Sequence, residues 1–508
     1  MISFLRASGI LLHPTSLPAR LGIGDLGKEA YRFADFLAET GQRLWQTLPL
    51  GPTGYGNSPY QCLSVFAGNP LLVSLEKLVE DGFLDAGDLD SAASFPRGRV
   101  DYAAVAAFKL PMLNRSFEIF LNKASANERQ EFEAFSQRNS SWLETYCLYM
   151  ALKDVHGLAA WNAWDEDVRK RLPKSLERWS SELTREMGQH RYHQYQFFKQ
   201  WSELKKYCNE RGIRFVGDMG IFVALDSAEV WSHPEMFYLD DNDRPSVVAG
   251  VPPDYFSRTG QLWGNPLYRW DVMAEDDYQW WIDRFRATHA LVDIIRLDHF
   301  RGFEKYWEVP GTDTTAMNGR WVSGPGAEFF KCVRKTLGAL PIIAEDLGVI
   351  TPEVDALRDE FGFPGMRVLQ FAFGSDPKAD DYKPHNYPRN CVVYTGTHDN
   401  NTTIGWLRQV DAEDSTQTRQ ERETERRLAL NYAGTDGREL NWDFIRLALM
   451  SVADNTVTPM QDVLGLGGEA RMNLPGTTQG NWCWRFLPEM LTDEIKTRLK
   501  ELTAIYGR

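Results

Sequence analysis

Residues 291–302 read "LVDIIRLDHFRG", an apolar run that ends in an acidic residue, Asp298. Seven further short apolar runs have the same character, and each ends in polar or glycine-rich residues. They cover 9–18, 44–54, 213–223, 341–348, 366–374, 390–400 and 458–467. Continuous apolar runs, unlike alternating ones, are typical of parallel strands that are buried on both faces of a sheet. The sequence therefore predicts eight buried parallel strands.

Helical patterns fill the gaps between these runs. In "KEAYRFADFLAETG" (28–41), apolar residues recur at helical spacing until a glycine, which commonly terminates a helix. The stretch "DYQWWIDRFRATHA" (277–290) has the same pattern. Eight strand–helix alternations predict an α/β protein with a (β/α)8 TIM barrel, and a doubly wound open sheet is the alternative.

Two spans are too long to be simple connections within such a barrel. We expect a single (β/α)8 catalytic domain over 1–508, with an inserted, largely helical subdomain at approximately 55–210, between strands two and three. Smaller insertions are expected at approximately 225–275 and 401–457. The charged stretch in the last of these is more typical of a solvated helix face than of a binding tail.

The charge and the cysteines limit the possible partners and compartment. With 56 basic and 70 acidic residues, the net charge is −14, so nucleic-acid and membrane partners are not expected. The N-terminus lacks the continuous apolar segment of a secretory signal, and no apolar stretch approaches the ~20 residues that span a bilayer. Six scattered cysteines without a C-x-x-C pair indicate neither a disulfide framework nor a zinc site. A cytoplasmic location is predicted.

The stretch "GIGDLG" (22–27) has the glycine spacing of a dinucleotide-binding turn, but its context argues against that function. The segment "HPTSLPARL" (13–21), with two prolines, separates it from the first predicted strand, whereas the phosphate-binding turn follows its strand directly. The stretch "GPTGYGNS" (51–58) starts like a phosphate loop but has Asn57 in place of the lysine. Both are interpreted as turns, and a nicotinamide oxidoreductase is kept as an alternative.

Three acidic residues lie at the ends of predicted strands, namely Asp298, Glu345 in "PIIAE" and Asp399 in "YTGTHD". Reactive side chains of a (β/α)8 barrel lie at the carboxyl ends of its strands, so the three would meet at one mouth. A single acid there is more often a helix cap or a salt-bridge partner. Three acids together favour catalysis.

The neighbours of these acids suit two carboxyl groups with different tasks. Arg296 shares a strand face with Asp298 and would keep it ionised, as a nucleophile requires. The apolar residues before Glu345 would raise its pKa and favour the protonated acid. His299 and His398 each adjoin an aspartate and would donate hydrogen bonds to substrate hydroxyls. Two carboxyl groups with different pKa values are typical of glycosidic-bond cleavage.

Several motifs resemble one known family. The stretches "IIRLDHFRGF", "IIAEDLG", "TGTHDNNTT", "VAGVPPDYFSRTGQLWGNPLYRW" and "EARMNLPG", together with "GIGDLG", closely resemble the 4-α-glucanotransferases, the amylomaltases or disproportionating enzymes of glycoside hydrolase family 77. The resemblance covers essentially the whole chain. It implies a TIM barrel without a C-terminal β-sandwich domain, no metal and no organic cofactor. It implies α-1,4-glucans and malto-oligosaccharides as partners, and we expect a monomer or weak homo-oligomer.

The resemblance also assigns roles by motif position. Asp298 resembles the nucleophile, Glu345 the general acid/base and Asp399 the carboxylate that holds the 2- and 3-hydroxyls of the sugar. The implied substrate-binding residues are Arg296, which orients the nucleophile, His299 and His398, which donate to substrate hydroxyls, Tyr255 and Phe256 on a loop over the cleft, Trp263 as a stacking face, Tyr60 at a further glucan-binding patch, and Asn473 and His385.

The implied activity is transfer of α-1,4-glucan segments by a retaining double displacement with a covalent glucanyl-aspartate intermediate, and cycloamylose is a candidate ring product. An α-1,4-glucan hydrolase on the same scaffold is the first alternative, and a catalytically silent glucan-binding protein is the second. The chain departs from the family pattern at Gly220, where proline is usual.

Overall fold

A computed structural model describes residues 5–90, 94–253, 257–409 and 418–508 of the chain. These residues form β1 (Ala7–Leu11), β2 (Leu44–Gln46), β3 (Arg214–Gly220), β4 (Val247–Val251), β5 (Gln261–Pro266), β6 (Ile294–Asp298), β7 (Lys305–Pro310), β8 (Arg320–Ser323), β9 (Ile342–Ala344), β10 (Gly365–Val368), β11 (Cys391–Tyr394) and β12 (Asn455–Pro459).

The helices of the described residues are α1 (Lys28–Glu39), α2 (Leu75–Glu80), α3 (Tyr102–Lys123), α4 (Ala126–Arg138), α5 (Ser140–Val155), α6 (Glu166–Arg169), α7 (Pro173–Glu182), α8 (Thr184–Glu210), α9 (Ala228–Ser232), α10 (Trp270–Ala274), α11 (Gln279–Leu291), α12 (Gly326–Leu337), α13 (Pro352–Phe361), α14 (Thr403–Arg408), α15 (Arg419–Ala433), α16 (Leu440–Met450), α17 (Met460–Val463) and α18 (Asp493–Ile505). Throughout the described ranges, no helix is long and apolar enough to cross a membrane.

Eight strands form a parallel barrel in the order β10-β11-β12-β1-β2-β3-β6-β9. Each barrel strand thus lies beside the next one along the chain. The first and last strands of this order meet where the Ala344 N–H donates to the Pro364 carbonyl at 2.9 Å. This circular order confirms the predicted TIM barrel, since a doubly wound sheet reverses its strand order and has two open edges.

Each predicted apolar run overlaps one barrel strand, but the run is usually longer than the strand. The largest error is in the last run, 458–467. There the strand β12 covers only its first two residues, and the next residues begin the short helix α17. Apolar periodicity alone does not separate a buried strand from a buried helix turn, so the boundary was wrong.

The span between β2 and β3 contains the helices α2 to α8. Its long helices α3, α4 and α5 pack on the 27-residue helix α8. Aromatic side chains fill the interface, including Phe120 against Tyr192 at a centroid distance of 5.1 Å. The helices occupy the span for which a subdomain is predicted, and the domain boundaries stay a prediction.

A second, antiparallel sheet with the order β5-β4-β7-β8 was not predicted. It joins residues of the expected 225–275 insertion to the segment that follows β6. Strand β7 begins at Lys305, shortly after Asp298 at the end of β6. The strands β4 and β5 of this sheet pair Val251 with Gln261, and β4 also pairs with β7, which follows the first predicted catalytic residue in the chain.

The "GIGDLG" stretch is a packed connection that ends at the start of α1. A Cβ on Gly24 would lie 1.9 Å from the Pro14 carbonyl oxygen, so this backbone approach requires glycine. The buried Asp25 carboxylate accepts the Gly27 N–H at 3.0 Å and lies 3.5 Å from the Lys109 ammonium. These contacts agree with the interpretation of the stretch as a turn.

Candidate active site

The predicted catalytic residues Asp298 and Glu345 lie side by side at the carboxyl end of the barrel. Asp298 ends β6, and Glu345 directly follows the adjacent strand β9. The Glu345 N–H donates to the Leu297 carbonyl at 3.0 Å, and the Phe300 N–H donates to the Glu345 carbonyl at 3.1 Å. The pairing of two parallel strands thus brings together acids that are 47 positions apart in the sequence.

Arg296 holds Asp298 by a direct ion pair. Its Nη1 lies 2.8 Å from Asp298 Oδ1. The same nitrogen lies 2.8 and 2.6 Å from the two carboxylate oxygens of Asp218. Burial alone would lower the pKa of Arg296, but the negative charges of Asp218 and Asp298 outweigh it and raise that pKa. A buried, permanently charged guanidinium favours the ionised form of the carboxylate beside it.

Asp218 is a site residue that the sequence analysis missed. The parallel register of β3 and β6 pairs it with Arg296, which explains why the two side chains meet. It is buried, and it accepts the Tyr60 O–H at 2.8 Å. Burial raises the pKa of Asp218, and the Arg296 charge opposes that rise. The sequence signal that could have identified Asp218 is its position as an acidic residue inside the third apolar run.

Glu345 has the surroundings of a general acid. Burial, followed by the negative charge of Asp298, raises its pKa to about 8, against the effects of Arg296 and of two backbone N–H groups. Those groups belong to His299, at 2.7 Å from Oε2, and to Leu347, at 2.9 Å from Oε1. A carboxyl group with this pKa carries its proton at neutral pH, as proton donation to a leaving group requires.

His299 combines an unusual backbone with an available ring nitrogen. Its φ of 52° and ψ of 49° are left-handed, and this turn directs its N–H to Glu345. The ring packs edge-on against Trp263 at a centroid distance of 4.7 Å. Burial lowers the pKa of His299 to about 4, so the imidazole is neutral. Its Nε2 is buried without a hydrogen-bond partner among the described residues, which suits a bond to a sugar hydroxyl.

Asp399 lies across the mouth, after β11. Its Oδ1 accepts a hydrogen bond from Asn473 Nδ2 at 2.6 Å and lies 3.4 Å from His398 Nε2. Its side chain is 47% exposed, compared with 26% for Asp298. Both carboxylates can therefore be reached by a ligand, and the predicted residues Asn473 and His398 are beside one of them.

Tyr60 connects the two sides of the site. Because its hydroxyl proton points to Asp218, its oxygen accepts from His398 Nε2 at 3.0 Å, so that nitrogen carries a hydrogen. The Tyr60 and His398 rings stack at 5.3 Å. The sequence analysis predicts a further glucan-binding patch at Tyr60, and the structure places the Tyr60 hydroxyl between Asp218 and His398. The residues that it joins are far apart in the sequence, so no local pattern indicated this position.

The other predicted contacts differ in their placement. Trp263 lies on β5 beside His299, as described above. His385 is on an exposed turn, where its Nδ1 lies 2.9 Å from the Tyr432 hydroxyl, and its contacts with described residues do not reach the carboxylates. Tyr255 and Phe256 lie outside the described residues. Within the described ranges, no three His, Cys, Asp or Glu side chains are grouped as metal ligands.

A TIM barrel whose mouth holds an arginine-paired aspartate beside a buried glutamate with a raised pKa is typical of the enzymes that break glycosidic bonds. Comparison with known proteins identifies the family within this class. The model of glycoside hydrolase family 77, the 4-alpha-glucanotransferases, matches residues 12–491. The chain belongs to this family.

Individual relatives match this chain over nearly the full length of both proteins. The 4-alpha-glucanotransferase of Thermus thermophilus is 52% identical over 507 residues, covering 99% of both chains. That of Synechocystis sp. is 51% identical over 507 residues, covering 99% of this chain and 98% of the relative. The structure of an amylomaltase from Streptococcus agalactiae in complex with acarbose matches with a TM-score of 0.93 at 41% identity, covering 99% of both chains. The family and the 4-α-glucanotransferase activity predicted from the motifs are confirmed.

Proposed function

We propose that the protein moves α-1,4-glucan segments from a donor to an acceptor glucan by a retaining double displacement. The observation that carries the proposal is the contrast between two adjacent carboxyl groups. Asp298 is paired with the Arg296 guanidinium, whereas burial raises the pKa of Glu345 to about 8. The first is suited to attack and the second to donate a proton. The acarbose complex of the Streptococcus agalactiae amylomaltase supports a glucan as the substrate.

In the first step, Glu345 gives its proton to the glycosidic oxygen while Asp298 attacks the anomeric carbon. The glycosidic bond breaks, the leaving glucan departs with the proton, and an ester joins the donor glucan to Asp298. In the second step, Glu345 takes the proton of an acceptor 4-hydroxyl, whose oxygen attacks the anomeric carbon and releases Asp298. Two inversions retain the α configuration.

The remaining residues hold the donor sugar during these steps. The exposed carboxylate of Asp399 is suited to accept hydrogen bonds from the 2- and 3-hydroxyls, and His299 Nε2 is free to bond another hydroxyl. Trp263 offers a ring face beside His299. Contacts of Tyr255 and Phe256 with sugar rings, and a role of His385, stay predictions.

Transfer exceeds hydrolysis only when an acceptor hydroxyl outcompetes water at the glucanyl-enzyme. When the acceptor is the free end of the same glucan, the product is a ring, so cycloamylose is included in the proposal.

We further propose a cytoplasmic location, supported by six cysteines that are all free thiols. A monomer or weak homo-oligomer without nucleic-acid or membrane partners stays a prediction.

Incubation with maltotriose tests the proposal against hydrolysis. A transferase is expected to form glucose and longer malto-oligosaccharides while the total number of reducing ends stays constant, because each broken bond is replaced. A hydrolase raises that number with every cleavage. Chromatography of the product ladder, together with a reducing-end assay, measures both quantities. A rising number of reducing ends with no product longer than maltotriose would contradict the proposal.

A further inference from the structure

Arg471 contacts both the backbone of Asp399 and Asn473, the residue whose side chain binds the Asp399 carboxylate. Its Nε donates to the Asn473 carbonyl at 2.7 Å, and its Nη2 donates to the backbone carbonyl of Asp399. Asn473 in turn donates its N–H to the His398 carbonyl at 3.1 Å and its Nδ2 to Asp399 Oδ1 at 2.6 Å. One guanidinium therefore joins the segment 471–473 to the turn that carries Asp399.

The segment that carries Arg471 is itself fixed to the barrel. The Ala470 carbonyl accepts a hydrogen bond from Gln461 Nε2, on α17, at 3.2 Å. The Met472 carbonyl accepts the Trp482 N–H at 2.8 Å. Both Ala470 and Met472 are buried. Arg471 thus extends from a rigid base, as a group that sets the position of another residue must.

The charge of Arg471 is not used in an ion pair with any described residue. Its hydrogen bonds go to the backbone carbonyls of Asp399 and Asn473. Burial lowers the pKa of its guanidinium, and the negative charge of Asp399 opposes that effect. Asp399 is therefore the acidic residue whose charge acts on this guanidinium.

We infer that Arg471 is a positioning residue that fixes the Asp399 carboxylate for the donor sugar. The inference rests on the proposed function, in which Asp399 holds the 2- and 3-hydroxyls. Hydrogen bonds to those hydroxyls strengthen in the transition state, and a misplacement of about 1 Å can cost about 100-fold in rate. Lysine does not replace arginine here, because a single ammonium is unable to reproduce the fork that spans two carbonyls.

Kinetics of maltotriose disproportionation by the full-length protein test this inference. Arg471→Met is expected to lower kcat about 100-fold with little change in KM, because a displaced Asp399 affects the transition state more than the ground state. Arg471→Lys is expected to recover only part of that loss. Arg508→Met is the matched control: its guanidinium also binds backbone carbonyls, those of Leu449 and Ala453, but before β12 at the opposite end of the barrel. It is expected to keep kcat within about twofold of wild type.

A double-mutant cycle with Asn473→Ala separates positioning from a general structural effect. Since both residues act on Asp399, the double variant is expected to lose little more kcat than the worse single variant. Fold losses that multiply, a wild-type kcat for Arg471→Met, or an equal loss in Arg508→Met would overturn the inference. Asp399→Asn, measured in parallel, tests the proposed function itself. If Asp399→Asn is inactive and Arg471→Met is fully active, only the role of Arg471 fails.

Discussion

The barrel mouth and the contact between α3 and the "GIGDLG" turn both bury charge, but they do so in different ways. At the mouth, the buried Arg296 serves Asp218 and Asp298 together, and the Asp298 side chain stays partly exposed. At α3, Lys109 is fully buried, with its ammonium 2.8 Å from the Leu71 carbonyl and 3.5 Å from Asp25. The first cluster leaves charge available to a ligand, whereas the second is satisfied internally. In the proposed mechanism, buried charge is therefore catalytic in one region and structural in the other.

Asp298→Asn is expected to give the largest effect on activity and almost none on stability. The amide keeps the size of the side chain but lacks the charge that attacks the anomeric carbon, so kcat should fall roughly 10⁴- to 10⁵-fold. The thermal transition should stay close to that of wild type, because Arg296 retains its pair with Asp218. Maltotriose kinetics and calorimetry check the two expectations. A large drop in Tm with activity retained would contradict this expectation, because it would show that the Asp298 charge is structural and not catalytic.

The pH dependence of the wild-type enzyme is expected to be the next largest effect. Glu345 must be protonated to donate, and its pKa of about 8 places the loss of kcat/KM above that pH, at about tenfold per unit. A pH–rate profile that stays flat up to pH 10 would show that Glu345 is not the acid of the first step.

The same pKa has a consequence for stability, which serves as a control for that profile. A glutamate in the unfolded chain titrates near pH 4.3, so the folded protein binds this proton more tightly. The Glu345 proton stabilises the folded state fully below the pKa of the unfolded chain. This stabilisation is lost as the pH rises through the folded pKa of about 8. The free energy of unfolding of wild type should therefore fall relative to Glu345→Gln over this range, measured by denaturant titration.

Lys109→Met is expected to have the smallest effect on activity and a large effect on stability. It leaves the buried Asp25 without its cation, which should lower the free energy of unfolding by about 3–5 kcal/mol. The kcat at room temperature should stay within about twofold of wild type, because the pair lies outside the site. Denaturation curves and maltotriose kinetics measure both. The double variant Asp25→Asn/Lys109→Met should recover part of the stability, and a loss of kcat without a loss of stability would contradict the structural role.

The barrel could be predicted from the sequence because its strands are buried on both faces and so appear as continuous apolar runs. Once the order of those strands is circular, Asp298, Glu345 and Asp399 must face one mouth. The antiparallel sheet was missed for the opposite reason: the first residues of β5, from Gln261, are half-exposed and form no apolar run.

The contacts that complete the site were harder to foresee. Asp218 could have been predicted from the sequence, because the adjacent parallel strands β3 and β6 pair it with Arg296. The position of Tyr60 depends on a hydrogen bond to a residue 338 positions away, and that of Arg471 on one to a carbonyl 72 positions away. A single sequence contains no spacing that specifies such contacts.

The left-handed turn at His299 has one more consequence. Asp298 and Glu345 come from different strands, yet the amide that follows Asp298 is bonded directly to the Glu345 carboxyl group. One hydrogen bond therefore couples the position of the Glu345 carboxyl group to the backbone that carries Asp298, in addition to the pairing of β6 with β9.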